Sequence, residues 1–287
     1  MGKLKANYFF KRDSFIIGKG DGKIMYKTKI AVITGAASGI GRALALEMAK
    51  KNCNLILVDI FEKGLDKTIK IIENQDIFVE KHIVDLSEKE QIHTFSAKII
   101  EKYSQIDFLF NIAGIAAGGT FEEMKEETFE RLIGVNLMSQ VYLMKDFIPR
   151  MKKEETTYIV NMSSLNGKAA FAEQSAYSAS KFAVRGVSNA IAYEISDSNI
   201  QMSVLYPGAV RTNIVRNAIP ASARDISAKH TTIAKGMDAT RAARIILKGI
   251  KKGKRDIVVG RDAHLVLFLK HFFPIRYWDM IKRNIHL

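Results

Sequence analysis

Cysteine occurs once in this 287-residue chain, at Cys53. One thiol excludes an intramolecular disulfide and a cysteine-rich zinc site, and it fits a reducing compartment. The six histidines are scattered, with no pair four residues apart, so no metal site is expected. Long apolar runs are missing too. The longest near the C-terminus, Leu265 to Leu269, falls far short of the ~20 residues of a spanning helix. Near the N-terminus the apolar patch is only Tyr8 to Phe10, against the roughly 7–15 apolar residues of a signal peptide. Ala6 stands where the myristoylation pattern needs Ser or Thr. A cytoplasmic location is expected, with membrane association left as an option for the tail.

Apolar residues make up 47% of the chain and charged residues 26%. This composition excludes general disorder and suffices for a sizeable core. The net charge of +14 is concentrated at the two ends. Residues 1–29 carry eight Lys/Arg against two Asp, and residues 241–287 carry twelve against three. Between them, residues 30–240 are nearly neutral, with 24 basic and 25 acidic side chains. Basic ends suit an anionic membrane surface, nucleic acid or acidic partners; they also serve as a plain solubilising surface. No aromatic-interleaved basic motif or DNA-binding module is present, so no nucleic-acid partner is expected.

Short β-rich runs alternate with longer amphipathic ones. The strands are read at 29–34, 54–59, 78–84, 107–112, 157–163, 200–206 and 256–259, and the helices near 40–51, 64–74, 88–103, 122–150, 175–196 and 239–252. Several strands are continuously apolar, as strands buried on both faces of a parallel sheet are. The alternation predicts an α/β fold with a doubly wound parallel sheet of about seven strands in one domain. The expected organisation is a basic leader at 1–27, the domain at 28–260 and an amphipathic basic tail at 261–287. Residues 213–238 show no clear strand. An insertion at that edge is where a substrate lid would sit.

The first strand runs into Thr34-Gly35-Ala36-Ala37-Ser38-Gly39-Ile40-Gly41. Glycines at a strand-to-helix turn allow a tight bend and a close backbone approach to a pyrophosphate at a helix N-terminus. A plain βα turn is the simpler alternative. The second strand ends in Asp59, whose carboxylate can accept from both adenosine ribose hydroxyls and would repel a 2′-phosphate; otherwise it caps a loop. Neither Ser38 nor Ile60 is basic, which favours NAD over NADP. Farther on, Tyr177-Ser178-Ala179-Ser180-Lys181 puts a phenol and an amine at i and i+4, on one helix face. A neighbouring ammonium lowers a phenol pKa toward working pH. Alone, such a pair is an ordinary surface pair. Ser164, thirteen residues upstream of Tyr177 at a strand end, can bond a substrate oxygen.

Taken together, the TGAASGIG loop, Asp59, Asn136, Ser164 and YSASK resemble the short-chain dehydrogenase/reductase family in order and spacing, over about residues 27–260. The resemblance implies a Rossmann-type sheet and a nicotinamide cofactor. It implies catalytic roles for four residues. Tyr177 would be the proton donor and acceptor, and Ser164 would orient the substrate oxygen with it. Lys181 would bind the nicotinamide ribose and lower the tyrosine pKa. Asn136 would hold a water linking Lys181 to solvent. For the cofactor it implies Gly35, Ser38, Gly39, Ile40 and Gly41 at the phosphates, and Asp59 at the ribose. It also implies Asp85 and Leu86 at the adenine, Asn111, Ala113 and Gly114 after the fourth strand, and Pro207, Gly208, Val210 and Thr212 at the carboxamide. One position departs from the family: Ile112 stands where it usually has a second Asn thought to stabilise the central sheet.

The presumed lid holds Ile214, Val215, Ala218, Ile219, Pro220 and Ile226, and the loop Ile115 to Gly119 is small and apolar. This lining suits a lipophilic alcohol or ketone of sterol, retinoid or fatty-acyl type, or it merely packs the lid. The alternative to an enzyme is a non-enzymatic NAD(H)-binding regulator on the same fold. A homo-dimer or tetramer is expected. In the tail, Leu265, Phe268, Leu269 and Phe272 fall on one helical face and Pro274 should break the helix. That face suits a lipid interface or burial against the sheet or a second subunit.

Overall fold

The computed structural model describes residues 26, 28–73, 76–151, 154–212, 219–220 and 235–283. Nearly all of the expected leader, and Ile214, Val215, Ala218 and Ile226 of the expected lid, lie outside the described residues. The chain begins with β1 (Ile30–Thr34), α1 (Gly39–Ala49), β2 (Asn54–Asp59), α2 (Glu62–Ile72), β3 (Val79–Ile83), α3 (Lys89–Lys102) and β4 (Phe108–Asn111). It continues through β5 (Ala117–Gly118), α4 (Glu126–Ile133), a π-turn at Gly134–Met138, α5 (Ser139–Met151), β6 (Thr157–Met162) and a 3₁₀ turn at Leu165–Gly167. Then come α6 (Ser175–Glu194), β7 (Ile200–Pro207), β8 (Ile219–Pro220), α7 (Ala239–Lys251), β9 (Asp256–Val259), α8 (Arg261–Phe272) and α9 (Pro274–Arg283).

The main sheet has seven strands in the order β3-β2-β1-β4-β6-β7-β9, every pair parallel. The apolar runs explain this placement. Leu55 to Val58, Phe108 to Phe110 and all of β6 are buried, so these strands must be covered on both faces. Alternate residues serve opposite faces. Ala31 and Ile33 pack with Leu44 of α1 and Ile246 of α7, whereas Val32 packs with Phe95 of α3 and Phe147 of α5. The mixed edge strand β3 leaves Ile83 exposed.

The chain leaves β1 toward one edge and returns to β4 on its other side. The crevice between the C-terminal ends of β1 and β4 is therefore a topological switch point, where ligands of such sheets bind.

Two expected elements differ. The helix expected over 122–150 starts only at Glu126 and is interrupted by the π-turn, which carries Asn136 into full burial; such one-turn insertions occur often at functional sites. The stretch 213–238 does contain a strand. Ile219–Pro220 pairs in parallel with Ala117–Gly118, a two-residue ladder too short to leave a hydrophobic pattern.

The tail folds back onto the domain. Ala263 and Tyr277 are buried with Leu165 and Ala169, and the Tyr277 hydroxyl donates to the Ala170 carbonyl at 3.1 Å. Pro274 ends α8 as expected, and it also opens α9 from the first helical position, where its missing N–H costs nothing. Of the expected apolar face, Leu265, Phe268 and Phe272 are exposed, joined by Ile275 at 78% and Trp278 at 60%; Leu269 is half-buried.

Candidate active site

The glycine loop has the form of an anion cradle. Gly35 and Gly39 take left-handed backbone angles, φ +70° and +55°, which side-chain-bearing residues rarely adopt. A Cβ on Gly41 would lie 2.1 Å from the Gly35 carbonyl oxygen, and one on Gly39 would lie 2.9 Å from the Thr212 side chain. Ser38 makes no side-chain cap, and the first turn of α1 holds no acidic residue. The leading N–H groups, Ile40 and Gly41 among them, are thus left at the positive end of the helix dipole. The donor set fits a pyrophosphate.

Behind the loop, Arg42 donates to Thr68 Oγ1 at 2.9 Å, to the Gly64 carbonyl at 3.2 Å and to the Ala37 carbonyl. The sequence reading missed this brace, because two of its three partners, Thr68 and Gly64, come from a different helix. At the end of β2, Asp59 Oδ2 accepts from the Ala37 N–H and Oδ1 from the Phe61 N–H, each at 3.0 Å. Asp59 therefore caps a loop and also stands beside the cradle. Each carboxylate oxygen retains a second lone pair for ribose hydroxyls.

Across the switch point, Thr34 Oγ1 accepts from the Ile112 and Ala113 N–H groups at 2.9 and 3.1 Å. It ties the glycine loop to the Asn111–Gly114 segment. The Asn111 side chain points elsewhere: its Nδ2 donates to Asn161 Oδ1 at 2.8 Å, and Asn161 donates on to Ser188 Oγ at 2.9 Å. A buried amide bridge thus joins β4 to β6 even though Ile112 replaces the usual second Asn. After β3, Asp85 Oδ1 accepts from the Ser87 N–H and hydroxyl at 2.9 and 2.7 Å, and Leu86 is buried.

The third group gathers around α6. Ser164 caps the 3₁₀ turn, accepting from the Asn166 N–H at 3.2 Å, and is hydrogen-bonded to the Tyr177 phenol. One helical turn on, Lys181 is fully buried. Its Nζ donates to the Met162 carbonyl at 3.0 Å and lies 5.6 Å from the Tyr177 ring centroid. Burial pushes the Tyr177 phenol above its ordinary range, with only the Ser164 hydrogen bond acting against it. Burial also pushes Lys181 down to about 7. The sequence led us to expect a lysine-lowered phenol. In this structure desolvation dominates both groups, because it disfavours whichever form is charged.

Asn136 clamps the loop after β4 from both sides. Its Oδ1 accepts the Ile115 N–H at 2.9 Å, and its Nδ2 donates to the Ile115 carbonyl at 3.0 Å and to Ser180 Oγ at 3.1 Å. Gly114 is wedged beside this clamp. A Cβ there would meet Asn136 Oδ1 at 3.0 Å and Lys181 Nζ at 3.3 Å.

The segment from Pro207 is anchored by β9 and by the tail. The Gly208 N–H donates to the Val259 carbonyl at 2.8 Å, and the Ala209 N–H to Asp262 Oδ2 at 2.7 Å. Gly208 leaves room for this carboxylate, since a Cβ would come within 2.1 Å of Asp262 Oδ2 and displace it. Val210 is buried and bridges to Met237, and Thr212 reaches Gly39. Asp262 has no motif to mark it, so the sequence reading missed its place at this loop.

The phosphate cradle, Asp59, the α6 pair with Ser164, and the Pro207–Thr212 loop thus surround the C-terminal ends of the central strands. Residues 29–223 match the family model described as short chain dehydrogenase. SadH of Mycobacterium tuberculosis is 32% identical over 269 residues, covering 91% of this chain and 96% of that one. A short-chain dehydrogenase/reductase from Burkholderia phymatum, solved in complex with NAD, superposes with a TM-score of 0.79 at 26% identity, covering 87% of this chain and 95% of the other. A short-chain dehydrogenase from Sphingobium yanoikuyae, in complex with NADPH, gives 0.72 at 28%, covering 80% and 87%. The chain belongs to the short-chain dehydrogenase/reductase family and is a nicotinamide-dependent oxidoreductase.

Proposed function

We propose that the protein interconverts a lipophilic secondary alcohol and its ketone, with NAD(H) preferred over NADP(H). The observation that carries this reading is the Ser164–Tyr177–Lys181 group at the C-terminal end of β6, facing the glycine cradle across the switch point. The nicotinamide, when bound, supplies the hydride acceptor or donor. Gly35, Ser38, Gly39, Ile40 and Gly41 hold the phosphates. Asp59 accepts from the adenosine ribose hydroxyls, and its charge opposes a 2′-phosphate. Asp85 and Leu86 flank the adenine, Asn111, Ala113 and Gly114 form the crevice wall, and Pro207, Gly208, Val210 and Thr212 take the carboxamide.

In the oxidising direction Tyr177 removes the hydroxyl proton; in the reducing direction it returns it. Ser164 donates to the same substrate oxygen. The pair stabilises charge that builds up only in the transition state, which is what accelerates the step. Lys181 holds the nicotinamide ribose and, when charged, favours the phenolate. Asn136 keeps the loop beside Lys181 in place.

The lipophilic substrate class rests on the apolar character of Ile115 to Gly119 and of the residues 214–226. The ladder between β5 and β8 supports this reading by pairing Ala117 and Gly118 with Ile219 and Pro220. Turnover of secondary alcohols of graded chain length, followed by nicotinamide absorbance with NAD and with NADP, tests it. Activity confined to small hydrophilic alcohols would contradict the substrate class.

We assign the domain to 28–260 and regard 261–287 as a tail that meets an anionic lipid interface. No helix among the described residues is long and apolar enough to cross a membrane. The exposed Leu265, Phe268, Phe272, Ile275 and Trp278 stand with Lys270 and Arg276 on two consecutive short helices. Apolar and aromatic side chains beside bases suit a headgroup region, where each base adds ~1 kcal/mol. Flotation with anionic liposomes, lost on Phe272→Ser with Trp278→Ser, is the expected result. A homo-dimer or tetramer is the assembly we expect, measured as mass in solution. If the same double substitution changes that mass and the chain does not float, the stripe is a subunit interface.

A further inference from the structure

Gln140 is the second residue of α5 and is 2% exposed. Its Nε2 donates to two carbonyls, Asn136 at 2.8 Å and Met162 at 3.2 Å. The Met162 oxygen is also the one that accepts from Lys181 Nζ. Gln140 Oε1 is buried without a partner among the described residues. Exchanging its O and N would set an oxygen against two carbonyl oxygens, so the orientation is fixed. Nothing about strand-end packing alone requires a buried amide with an orphaned oxygen, which carries a desolvation cost.

We propose that Gln140 is a positioning residue for hydride transfer: it locks the π-turn to the end of β6 and, through the shared Met162 carbonyl, limits how strongly that carbonyl holds the Lys181 amine. A carbonyl already receiving an amide N–H is a poorer acceptor for an ammonium. The Asn136 carbonyl is also bonded by the Gln140 amide, so one side chain ties the π-turn to the strand end that holds Lys181. Tyr177 is the titratable group beside Lys181 on its own helix. The neighbours from β6, the π-turn and the loop after β4 are the Met162 carbonyl, Asn136 and Gly114, all uncharged.

The proposal rests on the reading of Lys181 given above, so its test has a readout that needs no substrate. In the full chain carrying ¹³Cε-lysine, the titration of Lys181 is followed by NMR, its signal assigned by loss in Lys181→Arg. Gln140→Met removes both donors at similar volume, freeing the Met162 carbonyl for the ammonium. Gln140→Glu goes further by placing a carboxylate nearby. The Lys181 midpoint should rise in the order wild type, Gln140→Met, Gln140→Glu, with the first step about half a pH unit or more. With a turned-over alcohol, the lysine-dependent limb of the kcat profile should move the same way. At the wild-type optimum kcat should fall about tenfold, with KM nearly unchanged. Equal midpoints in whichever variant folds, with lowered thermal stability alone, would reduce Gln140 to a structural cross-link and overturn the proposal. If the midpoints shift but no alcohol or ketone is turned over by the wild type, the functional reading fails and the carbonyl linkage stands.

Discussion

Lys181 and Tyr177 stand one turn apart on α6, and burial drives their acidities in opposite directions, the amine down to about 7 and the phenol up. A buried lysine with so low a pKa leaves a mark on stability. In the unfolded chain its value returns to about 10.5, so between these pH values the unfolded state binds one more proton than the folded state. Stability therefore rises with pH through that window and is lowest below it. Lys181→Met removes the penalty. It should stabilise the fold most at about pH 6, on the order of a few kcal/mol seen as a higher melting temperature, and progressively less toward about pH 10. Melting curves of both proteins across this range check the sign; a gain that grows with pH would contradict it.

The proposed preference for NAD rests on Asp59. Its oxygens are already used by Ala37 and Phe61, and the adjacent Ile60 is 58% exposed, so a base at 60 has room to reach a phosphate. Asp59→Ala with Ile60→Arg should invert the ratio of kcat/KM for NAD and NADP, because a repulsive carboxylate gives way to a guanidinium that pairs with the 2′-phosphate. The loss of two backbone caps should also lower stability by about 1 kcal/mol. A wild type that prefers NADP would contradict the reading of Asp59.

Asp262 links the tail to the Pro207–Thr212 loop. Its carboxylate receives the Ala209 N–H from 53 residues away, and Gly260, at φ +115°, lets the chain turn into α8 beside it. Asp262→Ala should loosen that loop and weaken NADH binding several-fold, up to about tenfold for one exposed charge-assisted bond, with the melting temperature little changed. Isothermal titration with NADH measures it; unaltered affinity would leave Asp262 as a helix-terminal residue only. Removing the whole tail would remove this contact too, so tests of lipid binding need surface substitutions.

The strands were legible because a sheet covered on both faces needs unbroken apolar runs, and Leu55 to Val58 and Tyr158 to Val160 are such runs. The glycine loop and the YSASK helix were legible because their chemistry is local in sequence. The break in the long helix was not. A π-turn shifts the hydrogen-bond register by one residue, and what selects it here is the burial of Asn136 against a loop and a helix far along the chain. The β5–β8 ladder, the Arg42 brace and the Asp262 contact share that difficulty, since each joins residues that only the finished fold brings together. The upward push of burial on Tyr177 was not legible for another reason. Spacing places a lysine near a tyrosine, but it says nothing of how thoroughly both are desolvated.

The central claim is that Tyr177 carries the proton during hydride transfer, and Tyr177→Phe tests it most directly. The substitution keeps the ring that packs beside Lys181 and removes only the hydroxyl. NADH affinity by titration should stay within about threefold of wild type, because the cradle, Asp59 and the Pro207–Thr212 loop are untouched. Single-turnover formation of NADH from a saturating secondary alcohol should slow by about 10²–10⁴, the usual contribution of a positioned acid/base group. A Phe variant that binds NADH normally and forms it at near the wild-type rate would contradict the account.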